Sequence, residues 1–355
     1  MQERIDRLLA EAGRLGAQAA LLHSPENIRY FSGFTGEGCV FVAKGARVVL
    51  TDFRYTEQAR AQSPGCEVRE VAPEKAPAAL AGLVSDAGTK SVACEDDFLP
   101  VTQYNAIAGA LEGTALVSMA GAGVRLRTVK DASELKLMKR AGEITDELFQ
   151  YALTIARPGV TELDLTAELE YRLAKQYGAK SAFPFIVAAG ENGSMPHAIP
   201  SARAIRRGDM VTLDFGAEYM GYKADMTRTF AVGKPSEKMA EIYGIVLAAH
   251  RMAADALKPG TVCSAVDALA RGHIRDAGYG ENFGHGLGHG VGLQIHELPG
   301  LSARCDTVLE AGMVVTNEPG IYLPGIGGVR IEDTCIITPS GWESLFKAPK
   351  DLIIL

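Results

Sequence analysis

No two cysteines in this sequence are spaced as Cys-x-x-Cys. The six, Cys39, Cys66, Cys94, Cys263, Cys305 and Cys335, are scattered along the chain, which argues against a zinc ribbon or a thioredoxin-like site. Reduced and mostly buried thiols are expected instead. No apolar run approaches the about 18–20 residues that span a bilayer. No basic block offers a footprint for a nucleic-acid backbone. Residues Met1 to Asp6 are charged and amphipathic and lack the apolar core of a signal peptide, so a cytoplasmic protein without membrane or nucleic-acid partners is expected. Phosphate loops are missing too. In the glycine-rich run 284–292, Val291 stands where the third glycine of G-x-G-x-x-G would fall after Gly286 and Gly288, and no G-x-x-x-x-G-K-[ST] occurs.

What is present is an ordinary globular balance. Of 355 residues, 47% are apolar and 22% charged, with a formal net charge of −7; two or three domains are expected at this length. Ile5, Leu8, Leu9, Ala12 and Leu15 recur at helical spacing. Strand-like runs follow at 17–22, 39–43, 47–50, 91–94 and 115–119, with Lys44-Gly45 as a hairpin turn and a helix over 76–87. This alternation predicts an α/β N-terminal domain over 1–125. A long helix then opens at Lys130-Asp131-Ala132-Ser133-Glu134 and stops at Arg157-Pro158-Gly159, within a second domain spanning 126–355.

That second part is internally repeated. Pro158-Gly159 recurs 101 residues later as Pro259-Gly260, each pair lying between two helices. The following helices are expected to end at Tyr177-Gly178 and Ala277-Gly278. A strand pair comes next in each half, 209–214 returning through Asp225-Met226-Thr227, and 312–318 returning through Glu332-Asp333-Thr334. Such a period implies a duplicated unit, here helices over one antiparallel sheet with pseudo-twofold symmetry, an α+β architecture.

Duplication has a chemical consequence. A pseudo-twofold axis brings Asp214, Asp225, Glu318 and Glu332 to the centre of the sheet. Carboxylates gathered in an apolar sheet need protons or cations to compensate them, and hard divalent ions suit oxygen ligands best. Thr227 and Thr334, each two residues beyond an acid, are candidates to hold these ligands. Histidines gather nearby in sequence: His285, His289 and His296 lie in the glycine-rich run, where glycine permits close approach, and His197 lies in a proline-flanked loop. Taken singly, each acid reads as a turn or strand-end residue. His23 carries no expected role, and His250 and His273 read as surface or half-buried helix residues.

These motifs have a family likeness. Pro196-His197, Leu213-Asp214-Phe215-Gly216, Ala224-Asp225-Met226-Thr227-Arg228-Thr229, the run His285 to His296, Asn317-Glu318-Pro319-Gly320-Ile321-Tyr322 and Gly328-Val329-Arg330-Ile331-Glu332-Asp333 resemble the pita-bread metallopeptidases of the aminopeptidase P and prolidase branch. Asn27 to Phe34 and Thr51-Asp52-Phe53-Arg54-Tyr55 resemble the creatinase-like N-terminal domain of the same proteins, so the likeness covers nearly the whole chain. It implies an Xaa-Pro peptidase with two divalent ions per chain, Mn²⁺ with Co²⁺ or Zn²⁺ as alternatives, and proline-containing peptides as substrates; a homodimer is expected. Asp214 would hold one ion, His289 and Glu318 the other, and Asp225 and Glu332 would bridge them. His197, His285 and His296 would position substrate and stabilise the transition state, with Glu318 moving a proton, Arg330 partnering the carboxylates and Tyr322 close to substrate. A methionyl aminopeptidase fits less well because of the N-terminal domain. A metal-free creatinase-type hydrolase or a non-catalytic relative would lack these ligands.

One position departs from the dipeptidases of that branch. Many of them carry an arginine just after His-Glu-x-Pro as a clamp for the substrate carboxylate; here His296-Glu297-Leu298-Pro299 is followed by Gly300. The expectation is therefore an aminopeptidase acting on longer Xaa-Pro peptides, with a strict dipeptidase as the alternative and Arg54 or Arg29 as substitute clamps.

Overall fold

A computed structural model describes residues 1–355, and the chain divides into two compact units, Met1–Arg127 and Thr128–Leu355. No helix is long and apolar enough to cross a membrane.

The first unit runs α1 (Gln2–Arg14), β1 (Ala19–Leu22), α2 (Pro25–Ser32), β2 (Cys39–Ala43), β3 (Ala46–Thr51), α3 (Thr56–Gln62) and β4 (Glu67–Glu70). It continues with α4 (Ala76–Asp86), β5 (Ser91–Cys94), α5 (Val101–Ala110), β6 (Ala115–Ser118) and α6 (Ala122–Leu126). The sheet order is β4-β3-β2-β1-β5-β6, parallel except for β2. Strands buried on both faces explain why β1 and β2 read as unbroken apolar runs. The β2–β3 hairpin turns at Gly45, whose φ of 80° suits glycine. Leu21, Phe41, Leu50, Leu80 and Val92 fill the core. Helix α2 was not anticipated; its cap is Ser24, and the buried Glu95 carboxylate accepts from the backbone N–H and hydroxyl of Ser24 (2.8 Å each) and from the His23 N–H.

The second unit opens with α7 (Ala132–Ile155) and α8 (Glu162–Tyr177). Each starts at a capping box, Asp131 with Glu134 and Thr161 with Asp164, which satisfies N–H groups that a helix start leaves unbonded. Then come β7 (Lys180–Ser181), β8 (Ile186–Ala189), β9 (Met210–Phe215), β10 (Ala217–Tyr219), β11 (Tyr222–Lys223) and β12 (Met226–Ala231). The second half supplies α9 (Glu237–Asp255), α10 (Cys263–Ile274), β13 (Gly288–Gly290), β14 (Glu297–Leu301) and β15 (Val314–Asn317). It closes with β16 (Gly320–Leu323), β17 (Gly327–Arg330), β18 (Asp333–Thr338) and β19 (Gly341–Ser344).

The halves match in detail. Gly159 and Gly260 both take positive φ, 94° and 89°. Each donates its N–H 2.9 Å to a carbonyl further along its own half, Ile205 or Leu309. Beside them lie the bridges Thr161↔Ala204 and Val262↔Val308. In the strand pairs, Asp214 stands opposite Thr227, and Thr316 opposite Thr334.

Two expectations need correction. The antiparallel sheet is not single: β12-β9-β8 and β14-β13-β15-β18-β19 are separate sheets. They meet where the Glu332 N–H donates to the Thr227 carbonyl (3.0 Å) and the Asp225 N–H to the Thr334 hydroxyl (3.2 Å). At this seam single hydrogen bonds replace a continuous ladder. Also, α10 ends at Ile274 rather than 277, because the chain widens into a turn over 275–279 in which Gly278 has φ 90°.

Candidate metal centre

The seam between the two sheets holds the acids. Asp214 is the penultimate residue of β9, Asp225 precedes β12, Glu318 follows β15 and Glu332 precedes β18. The β13–β14 hairpin presents His289 on its first strand and His296 in its turn. Glycine permits this approach: a Cβ at Gly288 would overlap the Thr316 carbonyl and hydroxyl. All ten site residues singled out in the sequence, His197, Asp214, Asp225, His285, His289, His296, Glu318, Tyr322, Arg330 and Glu332, line one cleft of about 480 Å³.

Charge in the cleft is unbalanced. Arg330 donates from Nη2 to Asp214 Oδ2 (2.6 Å) and from Nη1 to Tyr322 Oη (2.9 Å). No lysine or arginine pairs with Asp225, Glu318 or Glu332. Hydroxyls serve two of them instead: Thr227 donates to Glu332 Oε2 (2.6 Å) and Thr316 to Glu318 Oε1 (2.9 Å). Two unit charges 4 Å apart repel by about 4 kcal/mol at an effective dielectric of 20. A charged hydrogen bond returns about 1.5–3 kcal/mol, so hydroxyls alone do not hold three carboxylates together. Burial first, then the neighbouring carboxylates, pushes the carboxyls of Asp225 and Glu332 above their usual range. Glu318 is pushed up to about 7, mainly by burial.

His289 sharpens the point. Its Nδ1 lies 3.0 Å from the Gly290 carbonyl, which only a donor satisfies, so its Nε2 carries a lone pair. That lone pair faces Glu318 Oε1 at 3.3 Å and Asp225 Oδ2 at 3.6 Å. Burial holds the ring neutral by lowering its pKa. Donor atoms of Asp225, His289 and Glu332 all lie within 4.8 Å of one another, and Asp214 Oδ1 and Glu332 Oε1 are buried without partners. Lone pairs aimed at lone pairs, with orphaned carboxylate oxygens, fit divalent cations.

The other histidines differ. His285 donates from Nδ1 to the Gly286 carbonyl (2.8 Å), and its Nε2 accepts from Tyr322 Oη (2.8 Å). Burial pushes its pKa down to about 4, so it is neutral with both nitrogens engaged. His197 and His296 are exposed on the cleft, and the His296 ring meets that of His289 edge-on at 4.4 Å. Phe183, Pro184, Phe185 and Ile199 form an apolar wall.

Thr227 and Thr334 act crosswise: Thr227 serves Glu332 from the other half, and Thr334 bonds the backbone of Asp225. Thr316 escaped the sequence reading, although its place two residues before Glu318 puts both on one strand face. His250 is a correction. It is 0% exposed, with neither ring nitrogen hydrogen-bonded, because α9 packs that face into the core. Arg54 binds Asp52 at 2.6 Å and Glu37 at 3.1 Å within its own unit; Arg29 lies on α2.

Comparison with known proteins gives the family and the fold. The model of metallopeptidase family M24 matches residues 136–339, and that of the creatinase/prolidase N-terminal domain matches 4–129. The chain is similar to the structure of an Xaa-Pro dipeptidase from Bacillus anthracis, 45% identical with TM-score 0.96, covering 100% of this chain and 99% of that one. It also resembles an X-Pro aminopeptidase from Thermotoga maritima, 36% identical with TM-score 0.90 over 98% and 100% of the two chains. The Xaa-Pro dipeptidase of Pyrococcus furiosus is 35% identical over 99% of this chain and 100% of its own.

Proposed function

We propose that this chain, which belongs to metallopeptidase family M24 and carries a creatinase/prolidase N-terminal domain, hydrolyses Xaa-Pro dipeptides. The observation that carries the reading is the gathering of four carboxylates, with Arg330 as the one paired cation, around the inward-facing lone pair of His289. Asp214, Asp225, His289, Glu318 and Glu332 would hold two divalent ions. Such ions supply the Lewis acidity that activates water and polarises a carbonyl. Mn²⁺ as the metal and a homodimer belong to the same proposal on the sequence resemblance, and a cytoplasmic location on the character of the N-terminal residues and scattered cysteines.

The chain's own groups do the rest. Glu318, steadied by Thr316, takes a proton from the water that attacks the scissile carbonyl and passes it to the proline nitrogen as the C–N bond breaks. His285 has no free N–H to offer, which leaves His197 and His296 as donors to a developing oxyanion. Arg330 keeps Asp214 and Tyr322 in place, and the apolar wall suits a proline ring.

Gly300 points toward longer peptides, and a Cβ there would meet open space. The names of the dipeptidases from B. anthracis and P. furiosus favour dipeptides instead, and the proposal follows them. Kinetics on Ala-Pro and Ala-Pro-Ala test it. A kcat/KM about tenfold higher for Ala-Pro is expected. The reverse ratio would make the chain an aminopeptidase of longer peptides, and turnover of neither would refute the Xaa-Pro reading.

A further inference from the structure

We infer that the buried ion pair of Lys130 and Glu297 is a positioning device for His296, an inference that rests on the peptidase reading. Lys130 Nζ lies 3.3 Å from Glu297 Oε2, and both side chains are 1% exposed. An ion pair this deep loses several kcal/mol per ion in desolvation, so it is weak evidence for stability. Its location points to a more local purpose.

Glu297 directly follows His296. Glu297 is buried at the start of β14, while His296, the last residue of the turn, is exposed on the cleft. One peptide bond joins them, so holding Glu297 inward anchors the end of the turn that carries His296. The glutamate also closes the turn: its Oε1 accepts the N–H of Gln294 at 3.1 Å. Within the turn, Gly292 donates to the Gln294 carbonyl at 3.0 Å, and its own carbonyl accepts from Lys223 N–H at 3.0 Å. The Gly292 backbone lies against the pair, since a Cβ there would stand 2.5 Å from Glu297 Oε2 and 3.1 Å from Lys130 Cε. The turn carrying Ile295 and His296 is thus wrapped around the ion pair. Lys130 is anchored just before α7 by its N–H to the Gly312 carbonyl (2.9 Å) and by Nζ to the Thr128 carbonyl (3.3 Å). In these contacts the pair holds the turn from inside, so loosening it displaces His296.

A double-mutant cycle separates positioning from general stability. Lys130→Met and Glu297→Gln, alone and combined, are made in wild-type and His296→Ala backgrounds. Ala-Pro hydrolysis, bound metal and amide hydrogen exchange over residues 291–297 are measured in each. The pair acts through His296 if each single change lowers kcat about tenfold or more with metal content unchanged, yet lowers it less than about twofold once His296 is alanine. Exchange should speed up over 291–297 alone. Equal losses in both backgrounds, or undiminished kcat in the single variants, would overturn the inference. The charge-free double variant carries the same cycle if a single variant folds poorly. Were the wild-type protein inactive on every Xaa-Pro peptide, the peptidase reading would fail, and exchange over 291–297 would decide the role of the pair by itself.

Discussion

Single residues in this chain are governed by what burial does to a charge. At the metal centre, carboxylates are kept close despite their repulsion: Asp214 is served by Arg330, and Glu318 and Glu332 by threonine hydroxyls, rather than neutralised outright. His23 shows the same force in the first unit. Burial pushes its pKa down to about 4 from an ordinary value of 6.5. The folded protein therefore keeps the ring neutral while the unfolded chain protonates it below pH 6.5. The sign follows: stability from this group is present above pH 6.5 and is lost as pH falls toward 4, by up to about 3 kcal/mol. A His23→Leu variant should hold its Tm better than wild type across that window, the gap widening as pH falls. Parallel Tm–pH curves would contradict the assignment. Residue types were the legible part of the site, because acids, histidines and glycines cluster in the sequence. Their bonds were not legible: that Thr227 serves an acid of the other half depends on how two separate sheets meet.

Elements carry the geometry. Both capping boxes of the second unit stand in the sequence, and so do the Pro-Gly breaks. These are local signals, set within a few residues. The split into two sheets escaped, as did the wide turn after α10, because each depends on contacts distant in the chain. Strand β13 is the element most constrained by space. Gly288→Ala presses a methyl group into the Thr316 carbonyl and hydroxyl, and that hydroxyl also holds Glu318 and the backbone of His289. Overpacking of this kind costs about 1–3 kcal/mol, so Tm should drop by several degrees and Mn²⁺ binding should weaken. Gly284→Ala meets nothing within 4 Å and serves as the control. Isothermal titration with Mn²⁺ and thermal melts compare the two; equal behaviour would mean that β13 yields without disturbing the centre.

For the molecule as a whole, the duplication of the second unit explains why a catalytic cluster exists at all. Two strand pairs, each with an acid at a strand end and another on the return, place four carboxylates at one seam, and His289 and Arg330 adapt the second half to them. The period of 101 residues was visible as order rather than identity, since the helices, turns and acids repeat while most side chains have diverged. Peptide length preference was not visible in that order. Gly300 argued one way and the relatives' names another, because specificity resides in what surrounds the cleft rather than in the ligand set. The central claim is that this seam holds divalent metal and hydrolyses Xaa-Pro bonds with it. The most direct test is Ala-Pro hydrolysis by chelator-stripped protein as Mn²⁺ is titrated back, for wild type beside Asp225→Ala. The account predicts no hydrolysis without metal, recovery that saturates near two ions per chain in wild type, and no recovery in Asp225→Ala. Full-rate hydrolysis by metal-free protein, or full recovery in Asp225→Ala, would contradict it.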